Sequence, residues 1–169
     1  MPKFSANLTM LFTEVDFLDR FAKAATNDFS AVEYMFPYDW PAQQLKEKLQ
    51  QHNLEQVLFN LPVDGWAEGE RGIACIPGRE EEFKENVGRA LDYAKVLDCR
   101  RLNCLAGLTP DGVEREQVQT TLVENLRFAA DEFAKENITL LVEALNSRDM
   151  PGFHLVGSKE SVDLIKEVD

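Results

Sequence analysis

Short apolar runs alternate along the chain with segments in which apolar residues recur at helical spacing. The runs predict five strands, at 4–11, 31–36, 54–61, 101–107 and 138–145. The helical spacing predicts a helix after each strand, the first starting near Thr13 and the others covering about 41–49, 83–97, 118–133 and 158–168. Strand–helix units repeated in this order are typical of an α/β protein with a parallel sheet.

Right-handed crossovers between parallel strands leave two architectures, an open doubly wound sheet or a (β/α)8 barrel. The first strand–helix turn, LFTEVD, lacks a glycine-rich phosphate-binding pattern, which disfavours a nucleotide-binding sheet. Five units in 169 residues correspond to about 34 residues each, so eight units would need about 270, within the range of complete barrels. The sequence therefore predicts one domain over residues 1–169, an incomplete TIM barrel with strands one to five.

Composition and charge narrow the function classes. The net charge of −12 disfavours nucleic-acid binding, which needs clustered Lys and Arg. No apolar run approaches the ~20 residues that span a bilayer, and we interpret the first residues as a strand and not as a signal peptide. Three cysteines without C-x-x-C spacing and only two histidines disfavour disulfides, a cysteine metal site and a histidine-rich metal site. A cytoplasmic protein is the simplest interpretation.

One carboxylate lies inside an apolar run, because residues 140–145 read LLVEAL. A buried, unpaired carboxylate is costly, so it usually gains a partner, binds a metal or changes its pKa. Glu143 therefore lies either near the end of a strand, where a site opens, or in an internal ion pair. Polar residues at the ends of barrel strands are often catalytic, which favours the first alternative without excluding the second.

Four further polar residues are candidates for substrate binding. Glu33, in AVEYMF, could orient a substrate hydroxyl at the same barrel mouth or be an internal hydrogen-bonded residue. Asn60 and Asn103 also lie near strand ends, and we interpret Asn60 as a cap of loop backbone. Arg79 could bind a substrate carboxylate through its planar guanidinium. The alternative role of Arg79 is a surface ion pair with one of the acidic residues that follow it, Glu80, Glu81 or Glu82.

A loop predicted at about 63–80 is long enough to be functional, since long loops on compact scaffolds often carry binding residues. Trp66 and Phe12 could line a pocket, although aromatic residues more often pack in a core. His154, in the loop after the fifth strand, is expected to be exposed. No base can be assigned to Cys75, which disfavours a thiol nucleophile.

Six segments, in their order and spacing, resemble the hydroxypyruvate isomerase family of sugar-isomerase-like TIM barrels: FSANLTMLFTEVDFLDRF, AVEYMFPYDW, VLFNLP, IPGREEEF, LNCLAG and LLVEAL. The resemblance covers residues 3–169 and corresponds to the N-terminal two thirds of that family. It implies a xylose-isomerase-like (β/α)8 barrel of which this chain holds about five units. It also implies interconversion of hydroxypyruvate and tartronate semialdehyde, or the related isomerisation of a 2-oxo-tetronate.

For the residues, the resemblance implies that Glu143 is one of two catalytic glutamates and a ligand of a divalent metal, Mg²⁺ or Mn²⁺. The second glutamate and the other metal ligands are expected on later strands, beyond residue 169. Two other functions stay open: a catalytically inactive fragment and a non-catalytic binding module. Because exposed sheet edges invite pairing, we also expect a homo-oligomer or association through the open edges.

Overall fold

A computed structural model, which describes residues 2–169, shows a five-stranded parallel sheet with its strands in sequence order. The strands are β1 (Ala6–Asn7), β2 (Ala31–Glu33), β3 (Glu55–Asn60), β4 (Arg101–Cys104) and β5 (Thr139–Val142). The helices are α1 (Arg20–Thr26), α2 (Ala42–His52), α3 (Glu80–Leu97), α4 (Arg115–Ala134) and α5 (Ser158–Val168). All five predicted strand–helix units are confirmed.

Strand β1 is much shorter than the predicted 4–11. The backbone N–H of Thr9 donates to the side-chain oxygen of Asn7, and the N–H groups of Met10 and Leu11 donate to the Asn7 carbonyl. These bonds form a turn that ends the strand, since Asn side chains often bond to backbone groups two residues ahead. The apolar residues after Asn7 therefore continue the hydrophobic pattern without continuing the strand.

Helix α1 also begins later than predicted. Its entry is a 3-10 turn at Phe17–Asp19, not a cap near Thr13. Phe12 has a positive φ of 60° and its carbonyl accepts the N–H of Val15, so this segment is a turn. Arg20 fixes the turn by donating to the carbonyl oxygens of Leu8 and Val15.

The core lies between the sheet and its helices. The apolar stripes predicted for the helices are buried against strand residues such as Val32, Phe59 and Leu102, and include Leu45, Leu49, Phe83, Val87, Leu122, Leu126 and Phe133. Burial of each large apolar side chain contributes about 1.5–3 kcal/mol, which makes this interface the main source of stability. The same packing fixes the sheet and hence the positions of the strand ends.

The sheet has two outer strands, β1 and β5, and in the described part of the chain neither pairs with a further strand. Large apolar side chains are exposed close to β1 in the sequence, at Phe4 and Met10, and on the last helix, α5, at Val162 and Ile165. No helix within residues 2–169 is long and apolar enough to cross a membrane.

The three cysteines are buried free thiols. Burial raises the pKa of Cys75 and of Cys104 to about 12 and that of Cys99 to about 11. Such thiols are neutral at physiological pH and poorly nucleophilic. The cysteines therefore act as small apolar core residues.

Candidate active site

Each strand contributes one polar side chain to a single cavity of about 480 Å³ at the carboxyl end of the sheet. These residues are Asn7, Glu33, Asn60, Asn103 and Glu143. Parallel strands bring their carboxyl ends to the same face, which is where TIM barrels hold their active sites. Three of the four predicted site residues, Glu33, Asn103 and Glu143, are thus brought together.

Strand register explains why these side chains meet. Asn7 is paired with Glu33 between β1 and β2, and Asn60 with Asn103 between β3 and β4. Asn103 is in register with Leu141, so Glu143 follows two residues later and points to the same face. A one-residue slip in any strand would turn its polar residue away from the cavity.

Glu143 lies directly after the last residue of β5 and is exposed. It makes no ion pair with any residue in the range 2–169. One carboxylate oxygen accepts a long hydrogen bond, 3.4 Å, from Nδ2 of Asn103. The sequence left two alternatives for Glu143, an internal ion pair or a position at a strand end where a site opens. The structure favours the second.

Asn103 is 5% exposed and connects two neighbours. Its Nδ2 group donates to Oδ1 of Asn60 at 3.1 Å as well as to Glu143. The Asn60 side chain therefore supports Asn103 in place of the expected backbone cap. The Asn60 carbonyl in turn accepts the hydroxyl of Tyr38 at 2.8 Å. This series of bonds orients the Asn103 amide towards the carboxylate.

Glu33 is half-buried and lines the cavity, and each of its two carboxylate oxygens accepts one hydrogen bond. The hydroxyl of Ser5 donates to one oxygen at 2.8 Å, and Nδ2 of Asn7 donates to the other at 3.2 Å. Both interpretations of Glu33 are thus compatible with its position. Asn7 was missed from the sequence, although a polar residue that interrupts the first apolar run is the signal that marks it.

Arg79 is not brought to the cavity. It lies just before α3, where its guanidinium contacts the carboxylates of Glu82 and Glu70, each at 2.5 Å. The hydrogen bond to Glu82 is the main cause that raises the pKa of Arg79 above its ordinary value, and Glu70 adds to it. These ion pairs account for its position without a ligand, and a substrate role for Arg79 stays a prediction.

Apolar side chains form the rest of the cavity wall. Trp66, from the loop at 61–79 that follows β3, is one of them, whereas Phe12 packs against the core away from the cavity. Met150, from the loop after β5, lies on the same wall. The long loop expected from the sequence is therefore present and contributes to the cavity.

His154 is buried, 6% exposed, so the expectation of an exposed loop histidine was wrong. Its ring nitrogens are hydrogen-bonded to the hydroxyl of Thr109 at 3.0 Å and to Oε1 of Gln119 at 3.2 Å. Burial, reinforced by the positive charge of Arg115, lowers the pKa of His154, while Glu160 opposes the shift. His154 does not line the cavity, and its contacts join the loop after β5 to α4.

Two carboxylates line the cavity, and that of Glu143, which is exposed and has no ion pair within residues 2–169, is the better placed hard oxygen ligand for a divalent metal. Residues 2–169 contain no group of three or more His, Cys, Asp or Glu side chains placed to hold a metal ion. The described residues thus do not form a complete metal site.

Comparison with known protein families points to the same fold as the strand order and the position of the cavity. The sequence pattern described as "Xylose isomerase-like TIM barrel" matches residues 21–169. The chain belongs to this family. The resemblance to hydroxypyruvate isomerases is also confirmed, because the chain is 55% identical over 168 residues to hydroxypyruvate isomerase of Escherichia coli K12.

Other relatives extend the comparison. The chain is 46% identical over 168 residues to 2-oxo-tetronate isomerase of Cupriavidus necator. Each of these two alignments covers 99% of the chain and 65% of the relative, so the chain spans about two thirds of their length.

Solved structures give the same fold. A crystal structure named AP endonuclease, family 2, from Brucella melitensis superposes with a TM-score of 0.97 at 51% identity, covering 100% of this chain and 65% of that one. D-allulose 3-epimerase from Methylomonas sp. shares the fold at 19% identity, with a TM-score of 0.71 over 89% of this chain and 52% of that one.

Proposed function

We propose that the whole protein is an isomerase of short hydroxy-oxo acids that interconverts hydroxypyruvate and tartronate semialdehyde. The observation that carries the proposal is the position of Glu143, an exposed carboxylate at the end of β5 that faces a cavity with the polar ends of all five strands. The similarity to the Escherichia coli enzyme supports the choice of substrate.

The reaction moves one hydrogen between adjacent carbons. A base removes a proton from C3 of hydroxypyruvate, which gives an enediolate with negative charge on the C2 oxygen. The proton is then delivered to C2, and the proton of the C3 hydroxyl passes to the C2 oxygen, so that C3 becomes the aldehyde carbonyl and C2 carries the hydroxyl. Glu143 is the base in this proposal, since a carboxylate at a cavity mouth can hold the proton between the two steps. Asn103 keeps that carboxylate in place, and Glu33 accepts a hydrogen bond from a substrate hydroxyl.

We also propose a divalent ion, Mg²⁺ or Mn²⁺, with Glu143 as one ligand and its remaining ligands outside residues 2–169. When bound, such an ion would polarise the substrate carbonyl and stabilise negative charge on its oxygen. The carboxylate of Glu143 is the hard donor that these ions prefer.

A 2-oxo-tetronate is the second candidate substrate, because the relative from Cupriavidus necator carries that name. Its additional carbon would occupy the same cavity, and the reacting carbons would keep their chemistry. A nuclease activity, which the name of the Brucella melitensis structure suggests, is disfavoured by the net charge of −12, since phosphate binding needs clustered cations.

Proton NMR in D₂O tests the proposal directly. The whole protein is incubated with hydroxypyruvate and, separately, with 2-oxo-tetronate, and the aldehyde or ketose product and deuterium at the reacting carbons are followed. We expect product and deuterium incorporation with hydroxypyruvate. If only 2-oxo-tetronate is turned over, that compound replaces hydroxypyruvate as the proposed substrate. If neither compound gives a product or exchanges deuterium, the result points to a binding module.

A further inference from the structure

An anionic substrate needs a cation, and the cavity itself does not supply one. Its charged lining residues within 2–169 are the carboxylates Glu33 and Glu143, and no Lys or Arg of that range is among the lining side chains. Both proposed substrates carry a carboxylate that these two residues would repel. A positively charged side chain next to the wall would offset this repulsion and, beside the proposed metal ion, bind the substrate carboxylate.

Arg71 is such a group. Its guanidinium lies over the ring of Trp66, 4.2 Å from the centroid, and Trp66 lines the cavity. The Nη1 group donates to the carbonyl oxygens of Trp66 at 3.0 Å and Glu70 at 2.7 Å. These contacts hold the guanidinium in a fixed orientation within the loop at 61–79 and leave its opposite edge for another partner.

Within residues 2–169, the opposite edge of the guanidinium, formed by Nε and Nη2, has one hydrogen-bond partner, a sulfur atom. The Nε group of Arg71 donates to the thioether of Met150 at 3.2 Å, and Met150 is a cavity residue. Within residues 2–169, Nη2 makes no hydrogen bond. A thioether is a weak acceptor, whereas the Nε–Nη2 edge of a guanidinium matches the two oxygens of a carboxylate. The edge that faces Met150 is thus poorly satisfied and shaped for an anion.

Arg79 differs in this respect. Its Nε and Nη2 groups donate to the two carboxylate oxygens of Glu82, and Nη1 donates to Glu70. The edge that a substrate carboxylate would need is already bound to a carboxylate. A ligand at Arg79 would have to displace an ion pair, whereas a ligand at Arg71 would displace a thioether.

We propose that Arg71 binds the carboxylate of the substrate through Nε and Nη2, taking the place of the Met150 sulfur. This inference rests on the proposed function, because it assigns a residue to the acid group of that substrate. Trp66 holds the guanidinium from its face through a cation–π contact. Arg71 consequently sets the preference of the site for acids over neutral sugars.

The test compares hydroxypyruvate with dihydroxyacetone, its neutral analogue, in the whole protein. In Arg71→Met we expect kcat/KM for hydroxypyruvate to fall by about 30-fold or more, mainly through KM, because charge-assisted hydrogen bonds are lost. The value for dihydroxyacetone should stay within about 3-fold of wild type. Arg71→Lys should recover only part of the loss, since an ammonium cannot bind bidentately. Arg100→Met, on an exposed arginine away from the cavity, is the matched control.

Two results would overturn the assignment. Equal losses for both substrates would indicate that Arg71 only supports the loop, and a loss in Arg79→Met without one in Arg71→Met would assign the carboxylate to Arg79. Calorimetric binding of glycerate, which is not isomerised, separates this inference from the proposed function. Glycerate binding that is lost in Arg71→Met supports the inference even if wild type does not turn over hydroxypyruvate. Absent binding to wild type, or unchanged binding to Arg71→Met, contradicts it.

Discussion

The buried amide of Asn103 donates to the exposed carboxylate of Glu143 across 3.4 Å, and the same Nδ2 group is held by Asn60 at 3.1 Å. An exposed side chain would otherwise sample several rotamers. The contact with a buried partner limits that freedom, and the second carboxylate oxygen of Glu143 makes no hydrogen bond within residues 2–169. The relationship between these two residues therefore connects the packed strands to the proposed chemistry.

Replacing Glu143 with Gln should abolish isomerisation without unfolding the protein. The amide has the shape of the carboxylate but cannot accept the proton, and a general base contributes about 10²–10⁴-fold to the rate. Because Glu143 is exposed, the melting temperature should hardly change. Turnover is measured by NMR in D₂O and the fold by circular dichroism. Glu124→Gln, on the exposed surface of α4, is the control, and wild-type turnover in Glu143→Gln would refute the assignment.

Changes at Asn103 should alter kcat in a graded way. Asn103→Ala removes the donor to Glu143, and we expect about a 10-fold loss, the equivalent of one ordinary hydrogen bond. Asn103→Asp should lower kcat more than Asn103→Ala does. The new carboxylate would repel Glu143, and it would place an acceptor oxygen against the acceptor Oδ1 of Asn60. Steady-state kinetics on both variants checks the order. An Asp variant as active as wild type would mean that Asn103 does not position Glu143.

Gly107→Ala should destabilise the fold by about 2–5 kcal/mol, combining backbone strain with overlap. Gly107 has a φ of +109°, and a Cβ atom there would lie 2.5 Å from the carbonyl oxygen of Gly72. Gly112→Ala is the matched control, since its φ is +74° but no atom lies within 4 Å of the added carbon. Urea unfolding measures both. Equal effects would show that the contact between the two loops is unimportant.

Stability should fall as the pH drops below about 6.5, the ordinary pKa of histidine. Because burial and Arg115 lower the pKa of His154 in the folded chain, the unfolded chain binds the proton first and gains stability relative to the fold. The loss should continue until the pH reaches the lowered folded pKa. Urea unfolding between pH 5 and 8 should show a shallower dependence in His154→Gln. The same substitution at His52, at the end of α2, is the control, and an unchanged slope in His154→Gln would contradict the prediction.

Chelation by EDTA should remove turnover by the whole protein, and Mg²⁺ or Mn²⁺ should restore it. The expected reason is that Glu143 donates one of the hard oxygen ligands such ions require. Residual Mn²⁺ binding, measured by calorimetry in the absence of substrate, should weaken in Glu143→Gln. Full activity after exhaustive chelation, with the metal content checked by mass spectrometry, would show that the isomerisation needs no metal.

Sequence patterns predicted the strand–helix order well and the element ends less well. The stripe of Leu122, Leu126 and Phe133 is visible at helical spacing because one face of α4 must be buried. The end of β1 was not visible, since it depends on hydrogen bonds made by the side chain and carbonyl of Asn7 within an unbroken apolar run.

The candidate site divides in the same way. Glu33, Asn103 and Glu143 could be predicted because each is polar at a position where the local pattern requires an apolar residue or a strand end. Their meeting in one cavity follows from parallel strands in register. Arg79 was the arginine predicted from the sequence and Arg71 was not, because the choice depends on which carboxylates and carbonyls surround each guanidinium.

The local spacing of apolar and polar residues was enough to predict the α/β class and the order of five strand–helix units. It also located a carboxylate in the fifth apolar run, but left open whether Glu143 faces a site or an internal cation. The folded structure was needed to show that Glu143 accepts a hydrogen bond from Asn103 and makes no ion pair within residues 2–169, that His154 is buried, and that Nε of Arg71 contacts the cavity residue Met150. These features depend on contacts between residues far apart in the chain, and local periodicity carries no information about them.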